Sequence, residues 1–293
     1  MRRRSQQSPG IRSLIVQKSD PQVLQDFLAK RLSLSRRAAK TMIDQRTTWV
    51  NRKCVWIAGF ALRVGDTVEV AQAAIVKPRP RFDGGSHIRV LWQDDSYLVC
   101  DKPFGVLSCD DPKSAETILR EQEGVPTLEA VHRLDRDTTG CLMFAKNHAA
   151  LEAAIEVFKS HKVSKTYHAI VIGKFNYAYQ TIDAALDGQE AVSKVAREAI
   201  GDDASFLRVR IETGRTNQIR RHLASVRHPI IGDRVFGLKS ARDPRLMQVA
   251  RQMLHASTLV MPNPMVRGAE LRVHSPLPAD FRATLRLFGM GKR

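Results

Sequence analysis

Hydrophobic positions recur at helical and at strand spacing in both of two parts, which a stretch of prolines and glycines separates. Between Gln22 and about Ala71, Val23, Leu24, Phe27, Leu28 and Leu32 recur at helical spacing and predict one short amphipathic helix. Ser33 or Ser35 is placed to cap a second helix through Arg36, Arg37, Ala38, Ala39, Lys40, Met42 and Ile43. TTWVNRKCVW then reads as a strand turning at Asn51-Arg52, and ALRVGDTVEV as a closing strand with its turn at Gly65-Asp66. From His87 onward strands and helices mix. IRVLWQDDSYLVCDKP predicts two short strands around an acidic turn, and CLMFAKN an apolar strand. HAALEAAIEVFKSHKV predicts a helix whose basic end suits its C-terminus. KTYHAIVIG and SFLRVRIE follow as strands and RTNQIRRHLASV as a helix, with no internal repeat. The pattern predicts an α/β fold of the α+β, mixed-sheet kind over residues 88–289. A small α+β domain over 21–72 precedes it. Prolines and a Gly-Gly pair mark 73–87 as a linker, and residues 1–20 read as a flexible basic arm.

Composition narrows the partners. Lys and Arg outnumber Asp and Glu by 47 to 30, a net charge of +17. Such a surface attracts polyanions, because each neutralised phosphate releases condensed counterions. An anionic membrane is the other polyanion available, but no basic amphipathic helix or lipidation signal points to one. Cys54, Cys100, Cys109 and Cys141 lack metal-ligand spacing, so neither a zinc site nor a disulfide framework is expected. MRRRSQQSPG is followed by no apolar segment of a secretory signal, and no apolar run is long enough to span a bilayer. The expectation is a cytoplasmic, monomeric protein with reduced thiols, no membrane partner, no metal and no cofactor.

In the small domain Arg36 and Lys40 lie four residues apart, so with Arg37 they share a helix face suited to phosphates; the same face could simply be solvated. The stretch from Leu24 to Val70 resembles the S4-like RNA-binding module. It carries SRR at a helix start, an apolar helix ending at Ile43, the turn at Val50-Asn51 and the closing Leu62–Asp66. Where that family usually has Gly, this chain has Arg46 to Thr48. The resemblance implies that Arg36, Arg37 and Lys40 contact RNA.

VHRLDRDTTGCLMFAKN, residues 131 to 147, concentrates the chemistry. His132, Arg133, Asp135, Arg136 and Asp137 crowd together before an apolar strand, with Thr138-Thr139-Gly140 as a turn. A carboxylate held among arginines at a strand start can serve as nucleophile or base. The same residues would also build a structural salt-bridge loop. ETGRTNQIRRHLASVRHPIIGD, residues 212 to 233, brings Arg215, Arg220 and Arg221 close to a helix start, where anions are favoured. An arginine cluster beside Asp135 would account for both segments.

HRLDRDTTG and GRTNQIRRHL resemble the signatures of the RluA-type pseudouridine synthases, HRLD-x-x-T-[ST]-G and GRTHQIR-x-H. LVCDKPFGVL at 98–107, KTYHAIVIG at 165–173, LHASTLVMPNP and SPLPADF match further segments of the family in the same order. The resemblance implies a pseudouridine synthase-like catalytic domain, an isomerase that detaches uracil from its ribose, turns it and rejoins it through C5. It implies Asp135 as the catalytic carboxylate, Arg220 as its partner and Tyr167 as the aromatic group on the target base. Arg133, Arg215 and Arg221 are further expected RNA contacts. Asn217 and Asn263 stand where the family usually has His, and Thr139 where it usually has Ser. Ribosomal RNA of the large subunit is the expected substrate. The alternatives are the same chemistry on transfer RNA, or a silent RNA-binding or ribosome-assembly protein that keeps the fold. Loss of Asp135 or Arg220 would mark the silent protein, and both are present.

Overall fold

The computed structural model describes residues 11–32, 34, 36–44, 47–71, 87–160, 162–237 and 243–291. The side chains of Arg37, Ala38 and Thr41 are not among those described. The expected linker over 73–87 and the Ser33 and Ser35 caps lie outside the described residues, apart from residue 87. The chain divides into two units, Met1–Pro80 with Leu238–Ala250, and Arg81–Gly237 with Arg251–Arg293.

The first unit pairs four antiparallel strands in the order β1-β4-β2-β3 with two helices. Its strands are β1 (Ile11–Ile15), β2 (Thr48–Val50), β3 (Lys53–Cys54) and β4 (Thr67–Ala71), and its helices α1 (Leu24–Arg31) and α2 (Arg36–Asp44). Leu24, Phe27 and Leu28 from α1, Ile43 from α2, and Val68 and Val70 from β4 are fully buried together. This is the helical face and the strand alternation read from the sequence, meeting in one core. The β2–β3 turn puts both Asn51 (φ 50) and Arg52 (φ 66) in the left-handed region, as a tight hairpin requires. Asn51 also accepts from Thr67 N–H and donates to Asp66, which locks the hairpin to the start of β4.

One expectation is corrected here. Residues 11–20 are not a basic arm. Ile11–Ile15 pair with Ala71–Thr67 of β4 along their whole length. Leu14 and Val16 are buried, so this alternation, short and masked by Arg12 and Lys18, covers one edge of the small sheet.

The second unit is built on a ten-stranded mixed sheet in the order β10-β11-β12-β9-β13-β8-β6-β5, with β14 paired to β13 and β7 to β8. These strands are β5 (Val90–Gln93), β6 (Tyr97–Lys102), β7 (Glu129–Ala130), β8 (Thr139–Ala145), β9 (Ser164–Ile172), β10 (Tyr179–Ile182), β11 (Ser193–Ile200), β12 (Ala204–Ile211), β13 (Leu254–Pro262) and β14 (Glu270–His274). The helices are α3 (Ala115–Glu123), α4 (His148–Lys159), α5 (Gln218–Ser225) and α6 (Ala279–Leu287). β8 is buried at every position, which a central strand covered on both faces demands. It pairs parallel with β13 through Thr139 and Gly140, and antiparallel with β6 through Gly140–Ala145. Ser114 caps α3 by accepting from Thr117 N–H, and Asn147 caps α4 in the same way. Among the described residues no helix is long and apolar enough to cross a membrane.

Candidate active site

Asp135 sits on the loop between β7 and β8, and that loop is pinned from three sides. Thr138 N–H closes a turn on the Asp135 carbonyl. Ser108 binds both the N–H and the carbonyl of Leu134 through its hydroxyl. Gly105 N–H and the Lys102 ammonium both donate to the Arg136 carbonyl. The DKPFGVL segment is therefore a brace for the loop, and no charged group of that segment lines the cleft. Lys102 is wholly buried, which pushes its ammonium down to about 7, while the carbonyls of Pro103, Val106 and Arg136 accept its three N–H groups.

Arg220 reaches Asp135 from α5. Gln218 shapes the preceding turn: its side chain accepts from Thr213 and from Arg215 N–H, and donates to Val192 O. Asn217 takes the left-handed conformation (φ 54) at the helix start, where Asn is tolerated better than most residues. Arg220 Nη1 then donates to Asp135 Oδ2 at 2.9 Å and also to Asn217 Oδ1. The opposite edge of the guanidinium donates to the buried Asp233 through Nε at 2.6 Å and Nη2 at 3.0 Å. Gln252, from just before β13, donates to Thr138 Oγ1 at 2.7 Å and approaches Asp135 Oδ2 at 3.5 Å.

These groups open onto a cleft of 1210 Å³ lined by Arg133, Asp135, Lys165, Tyr167, Arg215 and Arg220, among others. Tyr167 lies on β9 opposite Val209 and Ala256 and is 7% exposed. Burial, and then the charge of Asp135, hold its phenol above the usual range, so it is a neutral aromatic surface at working pH. Lys165, two residues earlier on the same face, sits over the Phe158 ring and is pushed down by burial. It opens the KTYHAIVIG segment, which is read for its aromatic residue, and the two-residue strand period from Tyr167 is the signal that finds it.

Other expected residues fall differently. His132 accepts from Met143 N–H and stacks on Phe158 at 5.3 Å. Burial pushes it to about 3, so it is a neutral part of the loop's support. Arg133 and Arg215 are exposed at the cleft, Arg215 with a bond to Glu190 O. Arg221 does not line the cleft; it makes a two-pronged pair with Asp187. In the first unit Arg36 pairs with Asp26 and Lys40 with Asp44, both exposed. Surface pairs of this kind are weak and exchange readily for phosphate. Asn263 lies in the β13–β14 turn, bonded to Asp94 and to Met265 N–H, and so does not enter the cleft.

Asp135, Arg220 and Tyr167 thus meet at one cleft from three distant segments, and known proteins share those segments. A family model described as RNA pseudouridylate synthase matches residues 96–225, the span that carries all three. The chain is 32% identical to ribosomal large subunit pseudouridine synthase D of Xanthomonas campestris pv. campestris, over 75% of each chain. It is 30% identical to an uncharacterized RNA pseudouridine synthase of Mycobacterium bovis, over 89% of this chain and 92% of the relative. Among solved structures, human RNA pseudouridylate synthase domain containing 1 matches with a TM-score of 0.57 and 26% identity, covering 66% of this chain and 85% of that one. Two-thirds or more of these relatives' length is spanned at such identity, and the chain belongs to the RluA-type RNA pseudouridine synthases.

Proposed function

We propose that this enzyme modifies uridines of large-subunit ribosomal RNA, with Asp135 as its catalytic carboxylate, Arg220 as the partner of that carboxylate and Tyr167 as the platform for the base. The observation that carries the reading is the Arg220–Asp135 pair at 2.9 Å, open to a cleft that also holds Tyr167. A uridine leaves its stack to reach such a cleft, and an aromatic surface repays part of that cost. The N1–C1′ bond breaks, the uracil turns, and C5 takes the place of N1 on the ribose. The C5 proton is lost and N1 gains one, so atoms balance without a cofactor. Asp135 acts as the nucleophile on the sugar or as the base that takes a sugar proton; both need an anion at the same point.

The ribosomal substrate is supported by the relatives named ribosomal large subunit pseudouridine synthase D. The first unit serves as an S4-like RNA-binding domain, with Arg36, Arg37 and Lys40 on phosphates, while Arg133 and Arg215 hold RNA at the cleft. The protein acts as a monomer in the cytoplasm, where its substrate is assembled. Pseudouridine mapping of total RNA from cells with and without the protein tests the substrate directly. The expected result is one or more sites lost from large-subunit ribosomal RNA alone. Loss confined to transfer RNA, or no loss anywhere, contradicts the reading.

A further inference from the structure

Asp233 is the most completely enclosed carboxylate of the cleft region, with a side chain that is 0% exposed. It lies in the segment after α5, thirteen residues beyond Arg220, and outside the matched family span. Its Oδ1 accepts from the N–H groups of Val235 and Phe236, at 2.8 and 3.0 Å, which fixes the carboxylate plane in its own turn. Its two oxygens then take the Nε and Nη2 edge of Arg220 in a fork, the geometry in which a guanidinium is most firmly oriented. The Phe236 ring lies 5.0 Å from the guanidinium carbon and closes one face. With one edge and one face occupied, Arg220 meets Asp135 and Asn217 through Nη1.

We propose that Asp233 is a positioning residue for the isomerisation: it clamps one edge of Arg220, so that Nη1 is held at the point where it meets Asp135. The proposal rests on the assignment of Asp135 as the catalytic carboxylate. Its physical content is a shared cation. One guanidinium lies between two carboxylates, so Asp135 is oriented through Oδ2 while Arg220 takes no bond to its Oδ1. Without the clamp, the Arg220 side chain is free to turn, and Nη1 no longer meets Asp135 at a fixed point. Burial alone would raise the Asp233 carboxyl, but Arg220 and the Phe236 and Val235 N–H groups outweigh it and hold the group below the usual carboxylate range. The clamp is therefore charged wherever the enzyme works.

The test uses the full chain in excess over RNA labelled with tritium at uridine C5 and purified from cells that lack the protein. Tritium release reads turnover, and filter binding reads affinity. Asp233→Asn is expected to slow single-turnover release about 10- to 100-fold, the size of effect that a small misplacement of a reacting group produces. RNA affinity should stay within about threefold of the parent's. In an Arg220→Lys background, which has no forked edge to clamp, adding Asp233→Asn is expected to change the rate less than about threefold, because the two residues act as one unit. A parental rate in Asp233→Asn, or the same rate loss in both backgrounds, overturns the proposal. If Asp233→Asn does not fold, Asp233→Glu keeps the charge and moves it by one methylene. The same loss of rate without loss of affinity is then expected, and a parental rate overturns the proposal. Activity in Asp135→Asn would instead remove the assignment on which the proposal rests.

Discussion

Lys102 carries a charge into the core so that a loop can be held. Its ammonium is fully buried and donates to three main-chain carbonyls, one of them that of Arg136 beside Asp135. Three acceptors match the three donors of the charged form, and burial opposes that form, bringing it down to about 7. Lys102→Met keeps the length and removes the donors, leaving the Pro103 and Val106 carbonyls without that donor and the Arg136 carbonyl with Gly105 N–H alone. It is expected to lower unfolding free energy by about 2 to 4 kcal/mol in denaturant titration. A change within about 0.5 kcal/mol, the usual range for an uninvolved surface site, contradicts the bracing role. Single residues were only partly legible in the sequence. Asp135 announces itself through the HRLDRDTTG signature, although its partner Arg220 lies 85 residues away. Asp233 and Gln252 lie in no such signature; their partners Arg220 and Asp135 lie 13 and 117 residues away in the chain, and only the fold joins them.

At the level of elements, the loop that carries Asp135 depends on how β8 enters the sheet. Gly140 has φ +110, and a Cβ built there would stand 2.1 Å from the carbonyl oxygen of Ala256 in β13. The glycine is what lets the two parallel strands approach at their one short pairing, Thr139–Gly140 against His255–Ala256. Gly140→Ala is expected to cost about 3 kcal/mol of stability, from both the forced backbone and the overlap. Thermal unfolding of the purified variant checks it, and an unchanged midpoint contradicts it. The buried strands β8, β9 and β12 and the helices α4 and α5 follow from their periodicity. β11 does not: SKVAREAI is rich in helix formers and shows no clean alternation. It is a strand because it is paired on both sides, by β10 and β12, and such pairing overrides weak local preference. β1 escaped for a related reason, as five residues in a basic segment carry little signal without β4 beside them.

For the whole molecule the relevant quantity is charge. A net +17 spread over two units predicts RNA affinity that falls steeply with salt, with one counterion released for about each phosphate neutralised. Removing residues 1 to 75 is expected to weaken binding to structured RNA. It should also reduce the slope of log affinity against log salt by about 0.9 for each phosphate that the first unit neutralises. Titrations of both proteins between low and moderate salt measure this. Equal slopes and equal affinities contradict the role proposed for the first unit. In the sequence the boundary is a matter of composition, the prolines and Gly-Gly pair over 73–87, since helical and strand spacings occur on both sides of it. The grouping of 238–250 with the first unit is not legible there, since nothing in that polar stretch marks which unit it joins.

The central claim is that Asp135 performs the chemistry while the rest of the cleft holds RNA and orients that carboxylate. Asp135→Asn keeps the size and shape of the side chain and removes the anion. Single-turnover tritium release from uridine-labelled RNA, with binding measured on the same preparation, tests it most directly. No detectable release, with RNA affinity largely intact, is the expected result. Release at a substantial fraction of the parental rate would contradict it.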